Sequence, residues 1–177
     1  MNKIFKRIVC VILATAVAFT LCSCEISFKK LPKIPSMNFT TSAVVKYKSY
    51  DVMTCTITSV EDEAITVEVT RPEILSGLKL VCSGDSCTIK YGALSYDADT
   101  GKYPQLAFAD NLKQAIESAK ENPDVSKTDD GNWSLHTVVN GSDVWTVLDG
   151  ETSYPLSMKI PSDELEMTFT DFTETDK

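Results

Sequence analysis

The chain has 177 residues, of which 43% are hydrophobic and 24% are charged, values that fit one soluble globular domain and argue against a multi-span membrane protein. The first 23 residues hold three basic residues and no acid, so the remainder has 14 basic residues against 25 acidic ones, a formal charge of −11. This excess of acidic residues argues against nucleic-acid binding, because phosphate recognition requires clustered Lys and Arg.

Residues 1–23 have the pattern of an export signal. Lys3, Lys6 and Arg7 form a basic segment, and residues 8–20 form an uncharged, mostly apolar run. This run matches the core of a signal peptide and falls short of the roughly 20 residues that a membrane-spanning helix needs. We therefore interpret residues 1–23 as a signal peptide.

The end of this segment resembles the bacterial lipobox, in which a leucine three places upstream and a small residue directly upstream mark a cysteine for lipidation. Leu21 and Ser23 occupy those two positions before Cys24. The alternatives are a plain secretory peptide cut after residues 16–18 and an uncleaved anchor. The lipobox predicts an extracytoplasmic protein held at the cell membrane by its acylated Cys24, because more than one acyl chain gives stable anchoring.

Residues 24–38 are predicted to form the lipidated cysteine and a linker. Pro32 and Pro35 discourage both helix and strand in this segment. The globular domain is then expected to span residues 39–177.

Alternation of apolar and polar residues, with a period of two, predicts that most of the domain consists of strands with one buried face. Turns separate these strands, for example at Arg71-Pro72, where proline cannot donate to a central ladder. Residues 123–132 are predicted to be a polar loop. The predicted strands are 53–58, 65–70, 78–82, 87–91, 94–96, 133–139, 143–148, 154–160 and 164–170.

Residues 105–121 break this alternation and predict a single amphipathic helix. Apolar residues recur there at spacings of three and four, opposite a polar face, and Asn122-Pro123 ends the pattern. The apolar residues are Phe108, Leu112, Ala115, Ile116 and Ala119.

About nine antiparallel strands with one buried face each can form a two-sheet sandwich or one large curved sheet. In a curved sheet, one helix shields only a strip of the apolar concave face. Loops, a partner or an apolar ligand must cover the rest, since apolar patches of several hundred Å² are rarely left exposed without a function.

Five segments in order carry a resemblance to a known family: 67–72, 80–85, 88–91, 108–119 and 154–172. They form a strand ending in Arg-Pro, an apolar strand, a short Gly-containing turn, a strand bearing an aromatic, then a helix and late strands. This order resembles the LolA-like/LppX-like family of periplasmic and lipoprotein lipid carriers.

The resemblance implies an α+β, mostly β fold, in which a single curved antiparallel sheet of about nine strands forms a half-barrel and one mid-chain helix covers its concave face. In carriers of this family the Arg of Arg-Pro helps to hold an apolar cavity closed, and the matching residue is Arg71. The lipobox differs from the soluble carriers and favours lipid holding, local hand-over or partnership with another envelope protein.

A helix lying across the concave face would place its apolar residues opposite inward-facing strand residues. A gap between the two sets should accept an acyl chain. The predicted cavity residues are Ile57, Val67, Leu80, Ile89, Phe108, Leu112, Ile116 and Met158.

We expect no enzyme, no cofactor and no metal. The sequence contains no Gly-x-Ser-x-Gly elbow, no His-Glu-x-x-His motif and no phosphate-binding Gly-rich loop. The only histidine is His136. Its side chain is predicted to lie on the solvent face of a strand, and the side chain of Leu135 on the other face.

Three cysteines remain in the predicted domain, in a compartment that permits disulfides. If Gly84-Asp85 is a two-residue hairpin turn, Cys82 faces Cys87, and such a pair suits a cross-strand disulfide. Cys55 is then either a buried thiol or a link to a second chain in a disulfide-bonded dimer.

Two classes of function therefore remain. The first is a membrane-anchored lipoprotein that binds a lipid or other apolar ligand between sheet and helix. The alternative is a non-enzymatic interaction module that binds or positions a cell-envelope protein.

Overall fold

The computed structural model describes residues 31–48, 52–61, 63–83, 86–99, 106, 108–121 and 124–175. The predicted signal peptide and the lipobox with Cys24 lie outside the described residues, as does the predicted Gly84-Asp85 turn.

Eleven strands and one helix make up the described domain. In chain order they are β1 (Phe39–Tyr47), β2 (Met53–Ser59), β3 (Ile65–Arg71), β4 (Lys79–Ser83), β5 (Ser86–Tyr91), β6 (Leu94–Asp99), α1 (Phe108–Glu121), β7 (Asp124–Lys127), β8 (Trp133–Val139), β9 (Ser142–Leu148), β10 (Pro155–Ile160) and β11 (Leu165–Glu174). Two short 3-10 turns lie at Glu73–Leu75 and Pro161–Asp163.

All strands belong to one open antiparallel sheet with the order β6-β5-β4-β3-β2-β1-β11-β10-β9-β8-β7. Strands that follow one another in sequence pair within β1–β6 and within β7–β11, and the pairing of β1 with β11 joins these two meanders at the centre of the sheet. The helix connects the edge strands β6 and β7 and covers the concave face. The predicted curved sheet with one covering helix is confirmed, with eleven strands instead of about nine.

The two additional strands are β1 and β7. Inward positions of β1 include Thr41 and Ala43, both fully buried, and these small or polar residues hide the alternation in the sequence. In β7, which falls within the predicted polar loop, only Val125 is even partly buried because the strand lies at the edge of the sheet. The prediction of a loop was therefore wrong for Asp124–Lys127.

The helix packs closely against the sheet, contacting β3, β4 and β8. Ala109, Ala115 and Ala119 are almost completely buried and let the helix backbone approach the strands. Leu112 and Ile116 fill the space between them, also fully buried. One continuous hydrophobic core results, shared by the helix and both meanders.

Residues 31–38 lie against the domain before β1 begins. The amide of Lys33 donates to the hydroxyl of Ser153 at 3.2 Å, and the amide of Ser36 donates to the carboxylate of Glu174 at 2.8 Å. Met37 is buried in the core. These contacts hold residues 31–38 against the domain at the end of the sheet where β1 begins and β11 ends.

Two of the three described cysteines form a disulfide, and the third is a free thiol. Cys82 and Cys87 are opposite one another on β4 and β5 and are joined by a disulfide, which confirms the predicted pairing. Cys55 is a free, buried thiol on β2. Burial disfavours its charged form and raises the pKa of Cys55 to about 12.

Candidate apolar ligand groove

A groove of about 530 Å³ opens at the end of the concave face where β1, β3 and β5 end. Among the described residues that line it, the hydroxyl of Tyr47 is the only polar side-chain group. The residues that line it are Val45, Tyr47, Met53, Val69, Pro72, Ile74, Leu75, Leu78, Leu80, Ile89, Leu106, Phe108 and Leu165.

Strand alternation produces the floor of the groove. Val45 on β1 lies opposite Met53 on β2, and Leu80 on β4 lies opposite Ile89 on β5. Cross-strand partners point to the same face of a sheet, and Val69 on the intervening β3 joins the two pairs into one apolar surface. Phe108, the first residue of the helix, closes the inner end.

The 3-10 turn after β3 forms one wall. The Arg71-Pro72 peptide bond is cis, and the chain then folds back, with the amide of Gly77 donating to the carbonyl of Val69 at 2.9 Å. Gly77 has a φ of +85°, a conformation that glycine adopts without steric cost. Ile74 and Leu75 are thereby held at the rim.

The exposure of the lining side chains increases from the floor of the groove to its rim. Val69 and Leu80 on the floor are almost completely buried, whereas Leu75 is 40% exposed and Ile74 is 80% exposed. The groove is therefore open to solvent on the side of the turn, and an apolar ligand could enter there.

The predicted cavity residues divide into two groups. Leu80, Ile89 and Phe108 line the groove. The others are fully buried in the core, in contact with one another instead of facing an open space. This second group comprises Ile57, Val67, Leu112, Ile116 and Met158.

Arg71 is exposed at the end of β3, directly before Pro72. Pro72 lines the groove, but the Arg71 side chain does not. A role of Arg71 in closing the cavity stays a prediction.

Several groove residues were not predicted from the sequence. Tyr47 belongs to the unpredicted strand β1, and Ile74-Leu75 falls between two predicted strands. The available signal was the pair of large apolar residues directly after Arg71-Pro72-Glu73, in a turn where polar residues are usual.

A second cavity, of about 310 Å³, is charged. Three lysines and two glutamates line it, including Lys159, whose ammonium lies 3.1 Å from Glu166. The hydrogen bond from Lys159 and its positive charge lower the pKa of Glu166. Opposite charges compensate one another here, and the site does not suit an apolar ligand.

His136 is tied into the outer face of the sheet. Its Nε2 lies 2.9 Å from Oδ1 of Asp143, its Nδ1 lies 3.7 Å from Oδ2 of Asp124, and its ring stacks on Trp145 at 4.3 Å between centroids. The described residues contain no cluster of three or more potential metal-ligating side chains. No helix among them is long and apolar enough to cross a bilayer.

No protein-family model matches the chain, and no curated protein matches it in sequence. Solved structures similar to it include a LolA superfamily protein from Nitrosomonas europaea, with 12% identity, a TM-score of 0.43, and coverage of 82% of this chain and 89% of that one. The complex of the CwlD amidase with the GerS lipoprotein from Clostridioides difficile matches with 15% identity, a TM-score of 0.43, and coverage of 80% and 86%.

The lipoprotein LppX from Mycobacterium tuberculosis matches with 8% identity, a TM-score of 0.40, and coverage of 78% and 88%. The described residues form one open antiparallel sheet with a single mid-chain helix, and the likeness to the LolA-like/LppX-like family stays a resemblance.

Proposed function

We propose that this protein is a membrane-anchored extracytoplasmic lipoprotein that binds an acyl chain or a similar apolar ligand in the groove. The observation that carries the proposal is the lining: thirteen described side chains line a groove of about 530 Å³, and one hydroxyl is the only polar group among them. Small-molecule sites span roughly 300–1,000 Å³ and are mostly apolar. The groove has both properties.

The groove is suited to a chain and not to a charged headgroup. Burying each methylene of an acyl chain contributes about 0.8 kcal/mol, whereas a charged group on the floor would lose hydration without gaining a partner. The headgroup should therefore remain at the open rim beside Ile74 and Leu75. Entry is tail first.

Anchoring through Cys24 would keep the protein beside its source of ligand. The lipobox supports this part of the proposal, and the Cys24→Ser substitution tests it. We expect the variant to remain unacylated and unprocessed or mislocalised. Normal maturation and unchanged partitioning into detergent would contradict the anchor and leave the groove unaffected.

The direct test of the ligand is extraction of purified, mature protein with organic solvent, followed by mass spectrometry. The peptide-linked acyl groups stay with the polypeptide, so lipid in the extract reports non-covalent cargo. We expect one dominant acyl-chain class near equimolar amount. An extract free of apolar compounds, together with no uptake of an added acyl probe, would favour the interaction module.

A further inference from the structure

Exposed apolar side chains concentrate at the open side of the groove. Five large hydrophobic or aromatic residues there keep between 40% and 80% of their surface exposed. We call them the mouth patch: Ile74, Leu75, Tyr91, Leu94 and Tyr96. Leu94 is 74% exposed at the start of β6, although leucine is among the residue types most often buried.

The mouth patch is continuous with the interior of the groove. Ile74 and Leu75 belong to both, and Tyr96 on β6 lies directly opposite Ile89, which lines the groove. Because cross-strand partners share a face, the apolar surface extends from the floor across β5 to the edge strand. No polar step separates the two surfaces along this line.

Two separate turns carry the protruding residues and are bonded to one another. The hydroxyl of Tyr91, beside the β5–β6 turn, donates to the carbonyl of Ile74 in the 3-10 turn at 3.1 Å. Leu94 lies opposite Tyr91 in the register of β5 and β6. Tyr91 therefore links the 3-10 turn that carries Ile74 to the hairpin that carries Leu94.

Charge also distinguishes this end of the domain. Residues 64–96 hold three basic and three acidic residues, whereas residues 124–175 hold two lysines and eleven acidic residues. The second meander would be repelled by an anionic bilayer more strongly than the first, whose residues 39–99 hold five basic and nine acidic residues. The mouth is thus the part of the domain that can approach a lipid surface at least electrostatic cost.

We propose that the mouth patch docks on a lipid bilayer, with Ile74 and Leu94 inserted into the interfacial region. The proposal rests on the proposed lipid-binding function. Protruding apolar side chains bind at the interface in proportion to the apolar area they bury, and tyrosine rings are enriched at that depth. A lipid tail could then pass from the bilayer along the patch into the groove without crossing water.

The test places a tryptophan reporter on the patch of the full chain. Ile74→Trp and Leu94→Trp are compared with Val138→Trp, a 59% exposed position on the opposite, outer face of β8. Emission is measured with vesicles of phosphatidylcholine and of bromine-labelled phosphatidylcholine, whose bromines quench only inserted rings. The unsubstituted protein corrects for Trp133 and Trp145.

We expect bromolipid to reduce the emission of both patch reporters at least about twofold, and that of the Val138→Trp reporter hardly at all. Zwitterionic vesicles should suffice, and adding phosphatidylglycerol at low salt should weaken the quenching. Equal quenching at all three positions, or a requirement for anionic lipid, would overturn the proposal. All three substituted positions are exposed, so the variants are expected to fold, and a difference in quenching then reports insertion into the bilayer.

Failure of this proposal can be distinguished from failure of the proposed function. An acyl probe that binds in solution while the patch reporters stay unquenched would leave the groove function standing and overturn bilayer docking; a protein surface would then be the remaining partner of the patch. Quenched reporters without any probe binding would support docking and remove the ligand.

Discussion

Tyr47 and Leu165 lie opposite one another across the junction of β1 and β11, and both side chains line the groove. One residue ends the first strand and the other begins the last strand, so the two meanders must join before this wall exists. The groove is therefore a product of the complete fold. A partly folded chain with only one meander would not contain it.

The first prediction separates the filled core from the groove. Leu112 is fully buried beneath the helix and does not line the groove, so Leu112→Trp should lower the free energy of unfolding by about 1–3 kcal/mol through overpacking. The dissociation constant of an acyl probe should change less than about twofold. Denaturant titration and probe titration measure the two effects. A large loss of affinity would locate the ligand beneath the helix.

The second prediction concerns the disulfide. Peptide mapping without reduction should recover Cys82 and Cys87 joined within one chain. The closed loop is short, so replacing both residues by alanine should cost about 2 kcal/mol in the free energy of unfolding. Recovery of both cysteines as free thiols in protein purified under oxidising conditions would contradict the pairing.

The third prediction concerns pH. The buried Cys55 has a pKa of about 12 against 9.0 for an exposed thiol, so above pH 9 the unfolded chain releases a proton that the folded chain retains. The stabilising contribution is complete below pH 9 and is lost progressively between pH 9 and 12. Stability measured across that range should fall less steeply in Cys55→Ala.

A labelling experiment provides an independent check on Cys55. At pH 8 a thiol reagent should modify this residue only after denaturation, because the native thiol is both buried and protonated. Rapid labelling of the native monomer, or recovery of Cys55 in a disulfide with a second chain, would show that it reaches the surface.

Much of the fold could be predicted from alternation, and the exceptions have physical causes. β3 buries the β-branched residues Ile65, Val67 and Val69 on one face only, and β2 alternates buried Cys55 and Ile57 with threonines, which gives a clear period of two. In β1 the inward positions include Thr41 and Ala43, which are not recognisably apolar in a sequence. In β7 only Val125 is partly buried, so the sequence of this strand shows no alternation of apolar and polar residues.

The location of the cavity was harder to predict. The helix was expected to leave a gap above the sheet, but Ala109, Ala115 and Ala119 allow close packing and the middle of the helix lies on a filled core. The open space instead lies where the helix begins. It depends on the backbone path of the turn after Pro72, which periodicity does not specify.

The most direct test of the account is titration of a fluorescent fatty-acyl probe into the full chain and two matched variants. Leu75→Asp places a carboxylate on the rim of the groove, and Val44→Asp places one on the outer face of β1; both positions are 40% exposed. Thermal melts serve as the folding control. We predict saturable binding by the unsubstituted protein, a loss of about tenfold in affinity for Leu75→Asp, and an unchanged affinity for Val44→Asp. No saturable binding, or equal affinities in both variants, would contradict a ligand in the groove.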